Sequence, residues 1–160
     1  MSTSASPVSA RVVFIGAGPG EADLITVRGA RVLAQAKVVL FDALADPTLR
    51  DIAPSAEWID VGKRGFSGKP GSDFNGQTRI NDLLIEHARE VGQRFGADAT
   101  VARLKGGDPS LFGRLEEELH ALRSEGIACE VVPGVTSALA AAAATQRPLT
   151  RRGTGRSVSF

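Results

Sequence analysis

The sequence predicts an α/β protein: a five-stranded, mainly parallel sheet flanked by helices. Three observations predict it. Short apolar runs alternate along the chain with stretches of helical periodicity, the pattern of a parallel α/β sheet. Most of these runs are rich in Val and Ile, as strands covered on both faces should be. Small-residue turns follow several of the runs, where strand-to-helix connections of such a sheet belong.

In chain order, strands are expected at residues 11–15 (RVVFI), 37–41 (KVVLF), 57–61 (EWIDV), 100–104 (TVARL) and 128–132 (ACEVV). Helices are expected between and after them, at residues 23–36, 46–53, 78–94, 109–124 and 136–145. The third helix has the clearest pattern: Ile80, Leu83, Leu84, Ala88 and Val91 repeat on one face, with Arg79, Asp82, Glu86 and Arg89 on the other. Asp46-Pro47 and Asp108-Pro109 each place a capping carboxylate before a proline suited to a first helical turn. Two stretches break the rhythm. Residues 62–76 read as a long Gly-, Lys- and Ser-containing loop, of the length that in compact domains usually serves function or is disordered. Residues 148–160 read as a linker followed by the opening of a strand (RSVSF).

A chain of 160 residues suits one domain with a proper core. Its 42% hydrophobic and 23% charged residues are ordinary for a folded soluble protein. Nineteen Lys and Arg against 18 Asp and Glu leave a formal charge of +1, which argues against a general nucleic-acid or membrane-surface binder. A single Cys excludes an internal disulfide framework and a Cys-based zinc site, and two widely spaced His residues make no ligand cluster. No apolar run approaches the ~20 residues that span a bilayer. Residues 1–10 lack the basic start and apolar run of a secretory signal and read as a loose tail on a cytoplasmic protein.

The turn Gly16-Ala17-Gly18-Pro19-Gly20 follows the first strand, and Asp42 closes the second, where a ribose-binding acid of a dinucleotide fold would stand. Yet Glu21 occupies the place of the third fingerprint glycine, and Pro19 removes an N–H that a pyrophosphate would use. Two further small-residue turns follow the fourth strand (Gly106-Gly107-Asp108-Pro109) and the fifth (Pro133-Gly134-Val135-Thr136-Ser137). In a parallel sheet these turns share the carboxyl edge, where ligands of open α/β sheets bind. They predict one pocket. With Glu21 and Asp108 expected on its rim, an amino acid or a cationic ligand fits better than phosphate.

The run Gly16 to Gly29 (GAGPGEADLITVRG) and the run Val101 to Gly113 (VARLKGGDPSLFG), completed by Val132-Pro133-Gly134, resemble the two signatures of the tetrapyrrole methylases. Val61-Gly62-Lys63-Arg64, Gln77 with Ile80-Asn81, Pro133 to Ala138 (PGVTSA) and Pro148-Leu149-Thr150 are similar to the branch that methylates uroporphyrinogen III. That branch usually has His where Arg151 stands.

The resemblance implies the first half of a two-domain enzyme, residues 11–147 being its N-terminal domain and residues 148–160 leading into a second. The chain alone is therefore expected to be inactive. The implied reaction is S-adenosylmethionine-dependent C-methylation of uroporphyrinogen III toward precorrin-2, on the siroheme and cobalamin routes. It implies a tetrapyrrole substrate, no metal, no nucleic acid or membrane partner, and a homodimer at full length. Pro19, Gly106, Gly107, Asp108, Leu111, Thr136 and Ser137 are then the cofactor-binding residues. Asp42 becomes the candidate proton acceptor, Lys63 the proton donor, and Arg64 a contact for substrate carboxylates, for which Lys69, Arg151 and Arg152 are further candidates. A methylase of a later corrin precursor and a dinucleotide-binding domain remain the alternatives.

Other conspicuous residues have plainer readings. Asp108 also suits an N-cap, and Thr136 and Ser137 a helix start. His87 and His120 fall among polar helix positions and read as solvated. Cys129 and Trp58 read as strand packing, and Ala138 to Ala144 as a small-residue helix.

Overall fold

Successive strand residues alternate between the two faces of a sheet, and here both faces are apolar. The computed structural model describes residues 8–42, 44–62 and 73–159. Its strands are β1 (Arg11–Gly16), β2 (Ala36–Phe41), β3 (Glu57–Asp60), β4 (Thr100–Lys105) and β5 (Cys129–Val132), all paired in parallel in the order β3-β2-β4-β1-β5. Each expected strand is present to within a residue.

Val12, Phe14, Val38, Leu40 and Val101 face one layer, formed by α2 (Asp73–Phe95) and α3 (Leu115–Ser124). Leu84, Ala88 and Val91 of α2 are almost wholly buried there, as their spacing predicts. Val13, Ile15, Val39, Ala102 and Leu104 face the other layer, where Leu33 of α1 (Val27–Leu33) and Leu49 of the 3-10 helix Pro47–Ile52 are fully buried. The last helix, α4 (Ser137–Ala144), follows β5 and buries none of its residues.

The helix boundaries depart from the sequence reading for local reasons. The helix expected at 23–36 is divided into a 3-10 turn at Ala22–Leu24 and α1, because the Thr26 hydroxyl accepts from Gly29 N–H at 3.0 Å and starts a new helix there. The helix expected from Pro109 begins only at Leu115, since Phe112 and Arg114 have φ of 56° and 51°, which no α-helix admits. Asp46 caps its proline-led turn by accepting from Thr48 N–H at 2.8 Å, but the product is a 3-10 helix. The loop expected to reach residue 76 ends by Asp73, where α2 starts, and residues 63–72 of it lie outside the described residues. At the N-terminus, Ala10, expected in the loose tail, is fully buried, its N–H donating to Ala88 O at 2.7 Å. That crossing is possible because Gly92 has no Cβ, which would lie 2.5 Å from Ala10 N.

The strand order governs where chemistry can occur. With β1 between β4 and β5, the turns leaving all three meet at one point on the carboxyl edge.

Candidate functional site

At that edge three turns are joined backbone to backbone. Gly107 N–H donates to Gly18 O at 2.7 Å and Gly18 N–H to Gly107 O at 3.3 Å. Gly134 approaches both other turns so closely that a Cβ there would stand 2.2 Å from Gly107 O and 2.7 Å from Gly16 Cα. Glycine is therefore a packing requirement at this position.

Asp108 completes the junction. One carboxylate oxygen accepts from Ser110 N–H and the other from Gly134 N–H, each at 2.8 Å. Its expected role as an N-cap is thus replaced by a cross-link between two turns, because no helix begins until Leu115.

Beside the junction lies a cleft of about 570 Å³, within the range of small-molecule sites. Pro19, Gly106, Gly107, Asp108, Leu111, Thr136 and Ser137 all line it, and so does Asp42. The structure therefore brings every expected cofactor-binding position together. Thr136 stands at the N-cap of α4 but makes no capping bond with its side chain. Glu21, expected on the rim, is exposed and does not line the cleft. Lys63, Arg64 and Lys69 lie outside the described residues. The turn after β1 leads into a 3-10 helix, and α1 starts only at Val27, so it lacks the helix N-terminus that a dinucleotide turn presents.

The floor of this cleft is built of charged residues outside the expected site. Arg103 and Lys105 leave β4 toward the α2–α3 layer, and both are almost completely buried. Glu118 of α3 is fully buried between them: Lys105 Nζ is 2.8 Å from one carboxylate oxygen and Arg103 Nε 3.2 Å from the other. Gln77 Nε2 approaches the same oxygen at 3.4 Å. A buried charge is tolerated only when paired and hydrogen-bonded, and these three supply one another. Burial, reinforced by the neighbouring Arg103 cation, pushes the Lys105 ammonium below its ordinary pKa despite Glu118.

Asp42 lies at the edge of this group. Leu44 N–H donates to its Oδ1 at 3.2 Å, and Arg103 Nη1 stands 3.8 Å from Oδ2.

A second hollow of about 510 Å³ opens on the other side of Asp42, sharing Asp42, Gln77, Arg103 and Arg114 with the first. Ile59, Val61, Ile80 and Leu83 give it apolar walls, and Arg79 adds a cation. Arg114 reaches both hollows from a left-handed backbone position and grips Glu117 through two bonds of 2.8 and 2.9 Å. Those bonds hold the Glu117 carboxyl below its usual pKa. His87 also lines this hollow. Its side chain is only 13% exposed, which corrects the solvated reading, whereas His120 is exposed as expected. Trp58 is packing, its Nε1–H bonded to Ala53 O at 3.0 Å and its ring edge-on to Phe41.

Fold and cleft together define a class of protein. Residues 11–159 match the family described as Tetrapyrrole (Corrin/Porphyrin) Methylases, and the chain belongs to that family. It is 46% identical over 151 residues to a uroporphyrinogen-III C-methyltransferase of Cyanidium caldarium, covering 94% of this chain and 55% of that protein. A siroheme synthase of Tolumonas auensis is 47% identical over 150 residues, covering 93% of this chain and 30% of that protein. Among solved structures, the uroporphyrin-III C-methyltransferase of Thermus thermophilus complexed with S-adenyl homocysteine superposes with a TM-score of 0.71 at 40% identity, covering 92% of this chain and 53% of that one. The chain thus spans about half the length of these two methyltransferases and less than a third of the siroheme synthase.

Proposed function

We propose that this chain forms the cofactor-binding side of an S-adenosylmethionine-dependent methyltransferase that acts on carbons of uroporphyrinogen III. The observation that carries this reading is the single cleft lined by Pro19, Gly106, Gly107, Asp108, Leu111, Thr136 and Ser137, with Asp42 at its edge. The names of the similar proteins support the same chemistry.

The residues present fit S-adenosylmethionine. Gly18, Gly106 and Gly107 leave the backbone accessible to a ligand, and the nearby Asp42 carboxylate suits a cationic one. When bound, this cosubstrate supplies a methyl group already activated on a sulfonium. The protein's part is then mainly placement. Pro19 and the Gly106-Gly107 turn form the walls, Thr136 offers its hydroxyl, and the Asp108 cross-link keeps the turns from parting.

The pyrrole carbon that takes the methyl group already bears a carboxylate arm, so it becomes quaternary and the ring cationic, and the charge is lost when a proton leaves a neighbouring position of the macrocycle. In this reading Asp42, which lines both hollows, accepts that proton. The second hollow joins apolar walls to Arg79 and Arg114, a surface suited to a macrocycle with an apolar body and carboxylate arms. Lys63 as proton donor and Arg64 as a carboxylate contact complete the reading.

The test uses the longest gene product that contains this chain. S-adenosylhomocysteine binding is followed by calorimetry and methyl transfer to uroporphyrinogen III by mass spectrometry. Binding together with methyl gain is expected. Binding without methyl gain would move the substrate to a later corrin precursor, and absence of binding would overturn the cofactor assignment.

A further inference from the structure

Asp42 and Arg103 face each other without joining. Arg103 Nη1 is 3.8 Å from Asp42 Oδ2, too far for a hydrogen bond, while the same nitrogen donates to Leu104 O at 3.0 Å. Arg103 Nε is held at 3.2 Å by Glu118. Asp42 Oδ2 consequently accepts no hydrogen bond from any described residue, although a guanidinium stands beside it. Glu118 itself is fully buried and lines neither hollow.

We propose that Glu118 is a positioning residue for the base. By anchoring Arg103 from below, it keeps the guanidinium from closing onto Asp42 and leaves Oδ2 open to take a proton. This rests on the reading of Asp42 as the proton acceptor. Charge balance supports it: Arg103 and Lys105 share Glu118, so removing that carboxylate leaves Asp42 as the nearest acid to two buried cations. A guanidinium that pairs directly with a carboxylate stabilises its ionised form and occupies the oxygen. Such an acid is a weaker base and a blocked one.

The other charged groups that line the hollows with Asp42 are Arg103 and Lys105 of β4, Asp108 in the turn after it, Glu57 and Asp60 of β3, Arg79 of α2, and Arg114, with His87 of α2 in the second hollow. Glu118→Gln leaves all of them in place, so a change in ionisation in that variant follows from Glu118.

In the longest gene product containing this chain, Glu118→Gln keeps the side-chain shape and removes the charge. The acid limb of the kcat/KM profile, which reports the free base, is expected to move about one pH unit lower, with kcat falling roughly tenfold. The Asp42 carboxyl, titrated by carbon NMR in the same proteins, should move the same way. A residue that served only folding would lower the melting temperature and leave both readouts in place.

Because Glu118→Gln adds a net buried charge and risks misfolding, Lys105→Met/Glu118→Gln removes a cation and an anion together. It should displace the limb in the same direction, since Arg103 is released in both variants. An unmoved limb and an unmoved carboxyl titration in a folded variant would overturn the proposal. Asp42→Asn separates the two levels. If Asp42→Asn loses its rate while the Glu118 variants keep the original limb, only the positioning role fails. If Asp42→Asn keeps its rate, the base assignment fails and takes the positioning role with it.

Discussion

Asp108 Oδ2 accepts a hydrogen bond of 2.8 Å from the backbone N–H of Gly134, across a separation of 26 residues. That bond joins the turn after β4 to the turn after β5, two connections on opposite sides of β1. The same carboxylate holds its own turn through Ser110 N–H. One side chain therefore sets the distance between two walls of the cleft, and its contribution to binding is expected to act through that distance.

Replacing Asp108 by Ala leaves two amide donors without their acceptor. The loss should be about 2 kcal/mol in stability, and roughly 1 kcal/mol for Asp108→Asn, which keeps one acceptor oxygen. Urea denaturation measures both. S-adenosylhomocysteine affinity should fall in the same order, and a variant that lost affinity at full stability would instead make Asp108 a direct ligand contact.

Gly134 and Gly107 share this junction but should respond differently to Ala. At Gly134 the added Cβ would meet a backbone oxygen at 2.2 Å, so the turns must separate, at a cost of about 3 kcal/mol. At Gly107 the nearest atom is 4.0 Å away and the penalty is the left-handed backbone, φ 66°, worth roughly 1–2 kcal/mol. Thermal denaturation should rank Gly134→Ala well below Gly107→Ala. The reverse order would contradict the close approach of the turns.

Much of this arrangement was legible in the chain because backbone requirements leave marks in sequence. Val- and Ile-rich runs gave the strands, and glycine turns after β1, β4 and β5 gave the cleft. The helix starts were harder: the capping bond of Thr26 and the left-handed Phe112 and Arg114 are decided by local geometry that periodicity does not report. The charged floor is less legible, because Glu118 ends a run of three acids, Glu116-Glu117-Glu118, of the kind that usually faces solvent. A signal was nevertheless present. Glu118 falls in step with Leu115, Leu119 and Leu122, placing a carboxylate on the apolar face of α3. Arg103 and Lys105 alternate on one face of β4, the middle strand of the five. An acid on one apolar face and two bases on another must find each other or remain outside the core.

Lys105 makes the stability of the protein depend on alkaline pH. Burial lowers its folded-state pKa from 10.5. Between the folded and unfolded values the unfolded chain carries a proton that the folded chain has released, so stability rises with pH in that window. Below it both states are protonated and the full cost of the buried charge is present. Lys105→Met removes this dependence. Denaturation at a series of alkaline pH values should show wild type gaining on the variant as pH rises toward 10.5. A difference that stayed constant would mean that Glu118 offsets the burial entirely.

The sharpest test of the chemistry is at Asp42. It follows the last residue of β2, and the parallel register of Phe41 with Leu104 carries it toward the level of Lys105, at the carboxyl edge. Its Oδ1 is engaged by Leu44 N–H, while Oδ2 stands 3.8 Å from Arg103 Nη1, and the residue lines both hollows. Asp42→Asn preserves shape and keeps an acceptor for Leu44, but it cannot take up a proton at neutral pH. If the carboxylate removes the proton that the macrocycle sheds after methyl transfer, turnover should fall by ~10²–10⁴, the usual cost of losing a general base. S-adenosylhomocysteine affinity should stay within a few-fold of wild type, since Asn keeps the shape of the side chain that lines the cleft. Lys63→Met, measured beside it, retains the aliphatic stem and drops the charge, so a rate loss there at unchanged stability would mark a donor or a carboxylate contact. Asp42→Asn with a near-normal rate would reduce the residue to a scaffold charge. If affinity and rate were lost together, Asp42 would be a binding residue and the proton would have to leave by another group.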